Sequence, residues 1–446
     1  MSLVQNIKKT INYSKKNGYG EAFFAAWERV TEKYCADYDY HAPDEAVLEA
    51  QRNDRSVSDI KFSILVPAFE TQEVYMRALI DSCIGQTYDS WELIIADGSA
   101  SDIVKNTADK YTDKRIKYIK LAENNGIAEN TNQAIDYATG DYCALLDHDD
   151  MLTVDALYEM AHAIWDSRPI IAYSDEDKCD ASGKRFYDPH FKLAFNLDLI
   201  LTNNYICHLM VVRADVLRKL RIRKEFDGSQ DYDIILRIVG GLLLKEKENK
   251  DARPVEEAVV HVPKVLYHWR CHENSTAENP QSKMYAYEAG KKALIDFASR
   301  MGWKVDVRHN KHLGFYRIEY GDSVLAHRPD LAAAGGLVAR HGKVASGIYE
   351  GQPVLYAGYM NRMDLFQNTA FLDIRNLAVN KAYQGIYEEV TGHPYESTLY
   401  TEKRELPQWI TEEGNGQLEE LSAKLSAALT KDGARLLLDP VCVRKI

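Results

Sequence analysis

Between residues 62 and 146 short apolar runs alternate with amphipathic stretches, and that alternation constrains the fold more than any other feature of the chain. Phe62-Ser-Ile-Leu-Val66 reads as a short buried strand ended by Pro67. Val74 to Cys83 carries apolar residues at helical spacing. Trp91-Glu-Leu-Ile-Ile-Ala96 is a second strand broken by Asp97-Gly98, and a helix over about 101–111 follows. Ile116 to Leu121 is a third strand. Ala128 to Ala138 is a helix closed by Gly140, and Tyr142-Cys-Ala-Leu-Leu146 is a fourth strand. Strands alternating with helices of this length predict an α/β fold around a Rossmann-like, mostly parallel sheet. Ligands of such sheets sit beyond the carboxyl ends of the strands. The residues to inspect are therefore Pro67-Ala-Phe-Glu70, Asp97-Gly-Ser99, Asn124-Asn-Gly126 and Asp147-His-Asp-Asp150.

These strand ends are small and acidic, and none forms a basic phosphate cradle. No strand is followed by GxGxxG, which weakens a dehydrogenase reading. Gly336 to Val344 superficially resembles a P-loop, but its spacing is one residue too long and Val344 stands where a magnesium-holding hydroxyl is needed. A net charge of −12 gives no basic footprint for nucleic acid, so no nucleic-acid partner is expected. The seven cysteines are scattered and odd in number, without CxxC spacing. That argues against a structural zinc site and a disulfide framework, and points to a reducing, cytoplasmic compartment. No stretch approaches the ~20 apolar residues of a membrane span. Lys8, Lys9, Lys15 and Lys16 are not followed by the apolar core of an export signal.

Leu145-Leu-Asp-His-Asp-Asp150 is the most informative segment. A buried strand runs straight into three carboxylates. Continued as a strand, it would point Asp147 and Asp149 the same way. Two such charges repel unless a cation lies between them, and a hard divalent ion, Mg2+ or Mn2+, suits oxygen ligands. The plainer alternative is an acidic turn in which Asp150 caps a helix from Thr153 onward.

With these pieces in order, residues 62 to about 300 resemble an inverting glycosyltransferase of family 2 with the GT-A fold. The matching stretches are FSILVPAFET, WELIIADGSASD, NNGIAENTNQAIDYATGDYCALLDHDD, YSDEDK, GSQDYDIILR and VLYHWRCHENSTA. The nearest subgroup contains rhamnosyltransferase-like enzymes of bacterial surface polysaccharide synthesis. The resemblance implies roles residue by residue. Pro67, Ala68 and Glu70 border the nucleotide base, and Asp97 hydrogen-bonds it. Ala96 replaces a second Asp common in relatives. Asn125, Gly126 and Asn130 flank base and ribose, although Gly126 also suits a plain turn and Asn130 a helix cap. Glu129 stands where many relatives carry Arg. Asp147 lies near the ribose, Asp149 ligates the metal, and His272 completes the metal or diphosphate site. His268 and Arg270 are weaker diphosphate candidates. Asp231 is the catalytic base, with Asp233 and Asp175 next in line; it could equally cap its helix.

The implied reaction is metal-dependent, inverting transfer of a sugar from a UDP- or dTDP-sugar to a saccharide acceptor, lipid-linked in such pathways. A catalytically inactive, polysaccharide-binding relative is the rival from another class. The expected organisation is a helical segment over 1–59, the GT-A domain over 60–305, and a smaller α/β region over 306–446 that faintly resembles a reduced second domain. Ala22, Phe23, Ala26, Trp27 and Val30 form one apolar stripe in the first segment. It either packs on the main domain or lies weakly on the inner membrane face. A homodimer through the last region is a further expectation.

Overall fold

The computed structural model describes residues 38–57, 59–249, 251–272, 284–310, 313–321, 323–346, 366–396 and 405–446. The apolar stripe between Ala22 and Val30 and the four early lysines lie outside them.

Strands β1 (Phe62–Ala68), β2 (Trp91–Asp97), β3 (Ile116–Lys120) and β4 (Tyr142–Leu145) pair in parallel in the order β3-β2-β1-β4. Each sits where the apolar runs predicted. The side-chain period of two divides them between two cores. Ile64, Val66, Leu93 and Ile95 join one core, and Leu65, Ile94 and Ala96 join the other. Helices Glu73–Ile84, Ile103–Ala108 and Ile127–Tyr137 connect these strands, as a parallel sheet requires.

The second half adds β5 (Met151–Leu152), β6 (Ile171–Cys179), β7 (Phe186–His190), β8 (Met210–Arg213) and β9 (Val259–Arg270). The full order is β3-β2-β1-β4-β8-β6-β9-β5, with β7 on β6. β6 and β9 run with β1–β4, so the sheet is mostly parallel. β5, β7 and β8 run the other way. The reversed β8 matters for the site. Leu145 pairs with Met210, so the residues before β8 meet the residues after β4 on one sheet edge.

A hairpin of β10 (Val305–His309) and β11 (Tyr316–Tyr320) adds Val307, Tyr316 and Ile318 to the first core. A separate sheet follows, with β12 (Leu331–Arg340), β13 (Lys343–Ser346), β14 (Gln367–Thr369), β15 (Leu377–Val379) and β16 (Arg435–Lys445). It carries helices Gln384–Thr391 and Asn415–Leu429 and its own core, including Leu337, Ile374, Tyr387, Leu418, Leu425 and Leu436. The stretch that looked like a P-loop, Gly336–Val344, is the β12–β13 turn and its flanks. Buried Arg328 ties the two sheets. It pairs with Asp198 at 2.5 Å and with Asp330 at 2.8 Å, while Arg317 holds Asp439 at 2.8 Å.

Candidate active site

One end of the sheet is built from the carboxyl ends of β1, β2 and β4. Ala68 and Asp97 pair in register, and Gly98 donates its N–H to the Ala68 carbonyl at 3.0 Å. Asp97 is fully buried. It accepts bonds from the Ser99 N–H (2.9 Å), the Tyr118 hydroxyl (2.7 Å) and Lys120 (3.3 Å). Pro67 precedes this edge in β1. Glu70 turns away from the sheet at positive φ and binds the Ala100 N–H and the Ser101 N–H and hydroxyl. The Ser101 hydroxyl and these amides hold its carboxyl below the usual range. Glu70 therefore locks one loop to the next.

Asn130, at the start of helix Ile127–Tyr137, closes the preceding loop on itself. Its amide donates to Asn124 Oδ1 at 2.9 Å, and its carbonyl oxygen accepts the Asn125 N–H at 3.3 Å. Gly126 has φ 94°, and a Cβ there would stand 2.4 Å from Asp227 Oδ2. Asp227 Oδ1 accepts the Ala128 N–H at 3.0 Å, so a carboxylate from the loop before helix Gln230–Glu248 caps this helix.

The expected strand geometry does not reach the acidic cluster. β4 stops at Leu145, and His148 and Asp149 form a turn. The cap assigned to Asp150 is also corrected. Its carboxylate is buried and accepts the Tyr267 hydroxyl (2.5 Å) and the Arg270 N–H (2.7 Å), pinning the turn to β9. Burial, with Asp149 and Asp147 adding their charge, pushes its pKa well up. The turn leaves Asp147 and Asp149 facing the cleft. Asp149 Oδ2 meets His272 Nε2 at 2.7 Å, and the His272 ring stacks on Tyr75. Asp147 keeps 47 % of its side-chain surface open, yet the enclosing walls raise its pKa and Asp149 and Asp231 add to the rise, against His208.

Asp231 lies in the first turn of helix Gln230–Glu248. Its Oδ2 accepts the Asn204 amide at 2.7 Å and the Cys207 thiol at 3.1 Å. Asp233, one turn-face away, is buried between Arg223 and Arg237. Asp175 is buried against His261 at 2.7 Å and the Lys192 N–H. Both are buried and held by these partners, which leaves Asp231 as the accessible carboxylate of the three.

His268 and Arg270 are placed differently from the cleft residues. Successive side chains of β9 alternate. Tyr267 and Trp269 face His208, while His268 points to the other face against Asp177, Tyr40 and Phe186. Arg270 is 2 % exposed. It holds the Asp149 carbonyl at 2.6 Å and the Ala181 carbonyl at 3.0 Å, and its Nη2 has no partner among the described residues. It supports the Asp147–Asp150 turn from behind.

Sequence reasoning missed one group. His208 enters just before β8, opposite Asp147. Its Nδ1 meets Glu176 Oε2 at 3.0 Å and its Nε2 lies 3.8 Å from Asp147 Oδ2. The ring stacks on Tyr267, with centroids 4.8 Å apart. Glu176 also binds His190 at 3.1 Å and has Lys192 at 3.8 Å. Burial opposes the charge on His208, but its pKa is nonetheless well above the ordinary value. Cys207 and then Glu176 supply that rise, while burial pushes the Cys207 thiol itself up to about 12. Burial likewise opposes ionisation of Glu176, and Lys192, His190 and His208 overcome it. The only signal in the sequence was the acidic YSDEDK run, which needs cations somewhere.

A divalent cation fits the donor chemistry of Asp149 and His272, a carboxylate oxygen and an imidazole nitrogen facing each other. Among the described residues, no third His, Cys, Asp or Glu converges with them to make a closed metal cage. A cation here would share its remaining positions with substrate oxygens or water.

The model of the family described as Glycosyl transferase family 2 matches residues 63–221. This segment is a family 2 glycosyl transferase domain. Asp231 and His272 lie beyond the matched segment of that domain. Similar proteins include the uncharacterized protein y4gI of Sinorhizobium fredii, 36% identical over 246 residues, and the O-antigen biosynthesis protein RfbC of Myxococcus xanthus, 27% identical over 266 residues. The matches cover 53% and 58% of this chain but only 25% and 19% of those proteins. Glycosyltransferase GlyA of Streptococcus pneumoniae is 24% identical over 267 residues, 58% of this chain and 37% of that one. The structure of S. aureus TarS 1-349 in complex with UDP-GlcNAc superposes with a TM-score of 0.41 at 18% identity, over 54% of this chain and 66% of that one.

Proposed function

We propose that the chain transfers a sugar from a UDP- or dTDP-sugar to a saccharide acceptor, with inversion, in the synthesis of a bacterial surface polysaccharide. The observation that carries this reading is that Asp147 and Asp149, at the end of β4 inside the matched family 2 segment, lie near Asp231 and His272 from beyond it. Asp231 takes the proton of the acceptor hydroxyl while the acceptor oxygen attacks the anomeric carbon. The bond from that carbon to the diphosphate breaks on the opposite side, and its electron pair leaves with the diphosphate. One in-line displacement inverts the centre and needs no second nucleophilic carboxylate. Asp149 and His272 would hold a Mg2+ or Mn2+ ion, which when bound offsets charge on the leaving diphosphate. The acceptor is read as lipid-linked, presented at the inner membrane face. No helix among the described residues is long and apolar enough to cross a membrane.

The test is transfer from a panel of UDP- and dTDP-sugars to oligosaccharide acceptors, with and without chelator. Asp149→Ala is expected to abolish transfer while leaving the melting temperature nearly unchanged. Full activity in excess chelator would overturn the metal-dependent part of the reading.

A further inference from the structure

Asp231 is held by one oxygen. Oδ2 accepts both the Asn204 amide and the Cys207 thiol, and no described residue bonds Oδ1. Behind the thiol stands His208, whose Nε2 lies 3.2 Å from Cys207 Sγ and whose Nδ1 is held by Glu176 at 3.0 Å. The directions of these bonds are determined by chemistry. A carboxylate can only accept, so the thiol hydrogen goes to Asp231 and the sulfur lone pair is left for the Nε2–H. Glu176 likewise takes the Nδ1–H. Both ring nitrogens then donate, and the imidazolium links β6 to the start of the base-bearing helix. The ring itself is clamped. It stacks on Tyr267, whose hydroxyl binds Asp150, and Lys192 donates to the His208 carbonyl. Nε2 also faces Asp147 at 3.8 Å. One side chain thus touches the donor-side carboxylate and, through a thiol, the base.

We infer that Cys207 and His208 are positioning residues that fix Asp231 by Oδ2 and reserve Oδ1 as the atom that receives the acceptor proton. This deepens the proposed glycosyl transfer and rests on it. The relay neither gains nor loses a proton in the step. The acceptor hydroxyl hydrogen moves to Oδ1, the acceptor oxygen bonds the anomeric carbon, and the diphosphate departs with the electron pair. With the relay broken, Asp231 keeps only the Asn204 bond on Oδ2 and its carboxylate can rotate. Displacements on that scale at a reacting group cost about 10-fold to 10²-fold in rate.

The experiment compares Cys207→Ala, Cys207→Ser and His208→Phe with the parent, measuring turnover, the Kd of the donor's nucleoside diphosphate and the melting temperature. Serine restores the donor to Oδ2 that alanine lacks, and phenylalanine keeps the stack on Tyr267 without the ring nitrogens. Expected are a turnover loss of about 10-fold in Cys207→Ala, substantial recovery in Cys207→Ser, and about 10²-fold loss in His208→Phe, with the Kd changed less than about 3-fold. Adding Asp231→Asn to His208→Phe should cost far less than Asp231→Asn alone costs the parent. Equal turnover in Cys207→Ala and the parent, or additive losses in the double variant, overturns the relay while transfer by the parent stands. Absence of transfer by the parent from every donor tested overturns the reading of the site and the relay with it. If His208→Phe does not fold, the alanine–serine pair at Cys207 decides alone.

Discussion

Residues 171–270 and 331–445 share one strand arrangement and differ in what it carries. β6 pairs antiparallel with β7 and β8 and parallel with β9. β12 pairs antiparallel with β13 and β15 and parallel with β16. A short helix follows β8 and β15, and a long one precedes β9 and β16. The registers agree as well. Tyr173 sits between Met210 and His261, and Gly335 between Leu377 and Leu438. The next residue begins a bulge in each: Ser174 and Asp175 bracket a loop-out containing Pro263, and Gly336 and Leu337 one containing Pro440. Proline has no N–H for the ladder, so a bulge is where it can sit. From that point the two diverge. Asp175-Glu-Asp177 corresponds in register to Leu337-Val-Ala339. The second unit fills its crevice with Asn376, 1 % exposed, which donates to the Leu337 and Cys442 carbonyls. The first turn of helix Asn415–Leu429 has no acidic residue where the first unit offers Asp231. The same scaffold makes a cleft lined with carboxylates in one place and a closed core in the other. The strands set the positions, and a handful of side chains decide whether there is chemistry. The second unit repeats the strand arrangement of residues 171–270 without its carboxylates.

Substitutions that act on only one side of this comparison test it. The largest expected effect is on the link between the units. Arg328→Ala leaves Asp198 buried without its cation, and breaking a buried pair this way costs roughly 3–5 kcal/mol. In urea unfolding the variant should lose that much stability; a loss under about 1 kcal/mol would mean that the two units do not depend on this pair. Next comes Asp231→Asn. Asparagine keeps the size and caps a helix well but cannot take a proton at neutral pH, so turnover should fall about 10²-fold or more with donor affinity little changed. Asn415→Ala, at the matching helix start of the second unit, should leave turnover alone. The cap is Ser229, and the Asp231 carboxylate bonds Asn204 and Cys207 instead; near-normal turnover in Asp231→Asn would leave Asp231 a structural partner of those two residues and not the base. The smallest effect is expected from Gly336→Ala. The added Cβ would stand 2.0 Å from the Cys442 carbonyl and 2.6 Å from the Asn376 amide. Overpacking of this kind costs about 1–3 kcal/mol. The equivalent residue of the first unit, Ser174, already carries a side chain, and it uses it to accept the Leu209 N–H. Unchanged stability in Gly336→Ala would show that the second crevice has room and is not closed.

The parallel half was legible because β1, β2 and β4 are short apolar runs that end in or near Pro67, Asp97 and Asp147, β3 alternates Ile and Lys, and the helices between keep a clear period. The acidic turn was legible by chemistry, since carboxylates at a strand end need partners from elsewhere; Asp231 was singled out only by the resemblance of GSQDYDIILR to the family. The reversed β8 was not. Its four residues, Met210-Val-Val-Arg213, carry no sign of direction, and only the reversal puts His208 beside Asp147. The burial of His268 and Arg270 was equally hidden, since it depends on which face of β9 packs against Tyr40 and Tyr75. β12 escaped because Leu331-Ala-Ala-Ala-Gly-Gly336 has almost no strand-forming residues; its place is dictated by the β16 ladder instead. The expected helix cap at Asp150 failed because a buried tyrosine hydroxyl and a backbone N–H from β9 claimed that carboxylate first.

The contact between Gly126 and Asp227 has a consequence for how such a sequence can drift. The carboxylate that caps the helix at Ala128 occupies the space any side chain at position 126 would need. A larger residue at 126 demands a shorter one at 227, and a shorter one at 227 uncaps the helix. Two positions far apart in the chain are therefore coupled in one direction: Asp227 forbids a side chain at 126, whereas Gly126 tolerates a shorter residue at 227 at the cost of the cap.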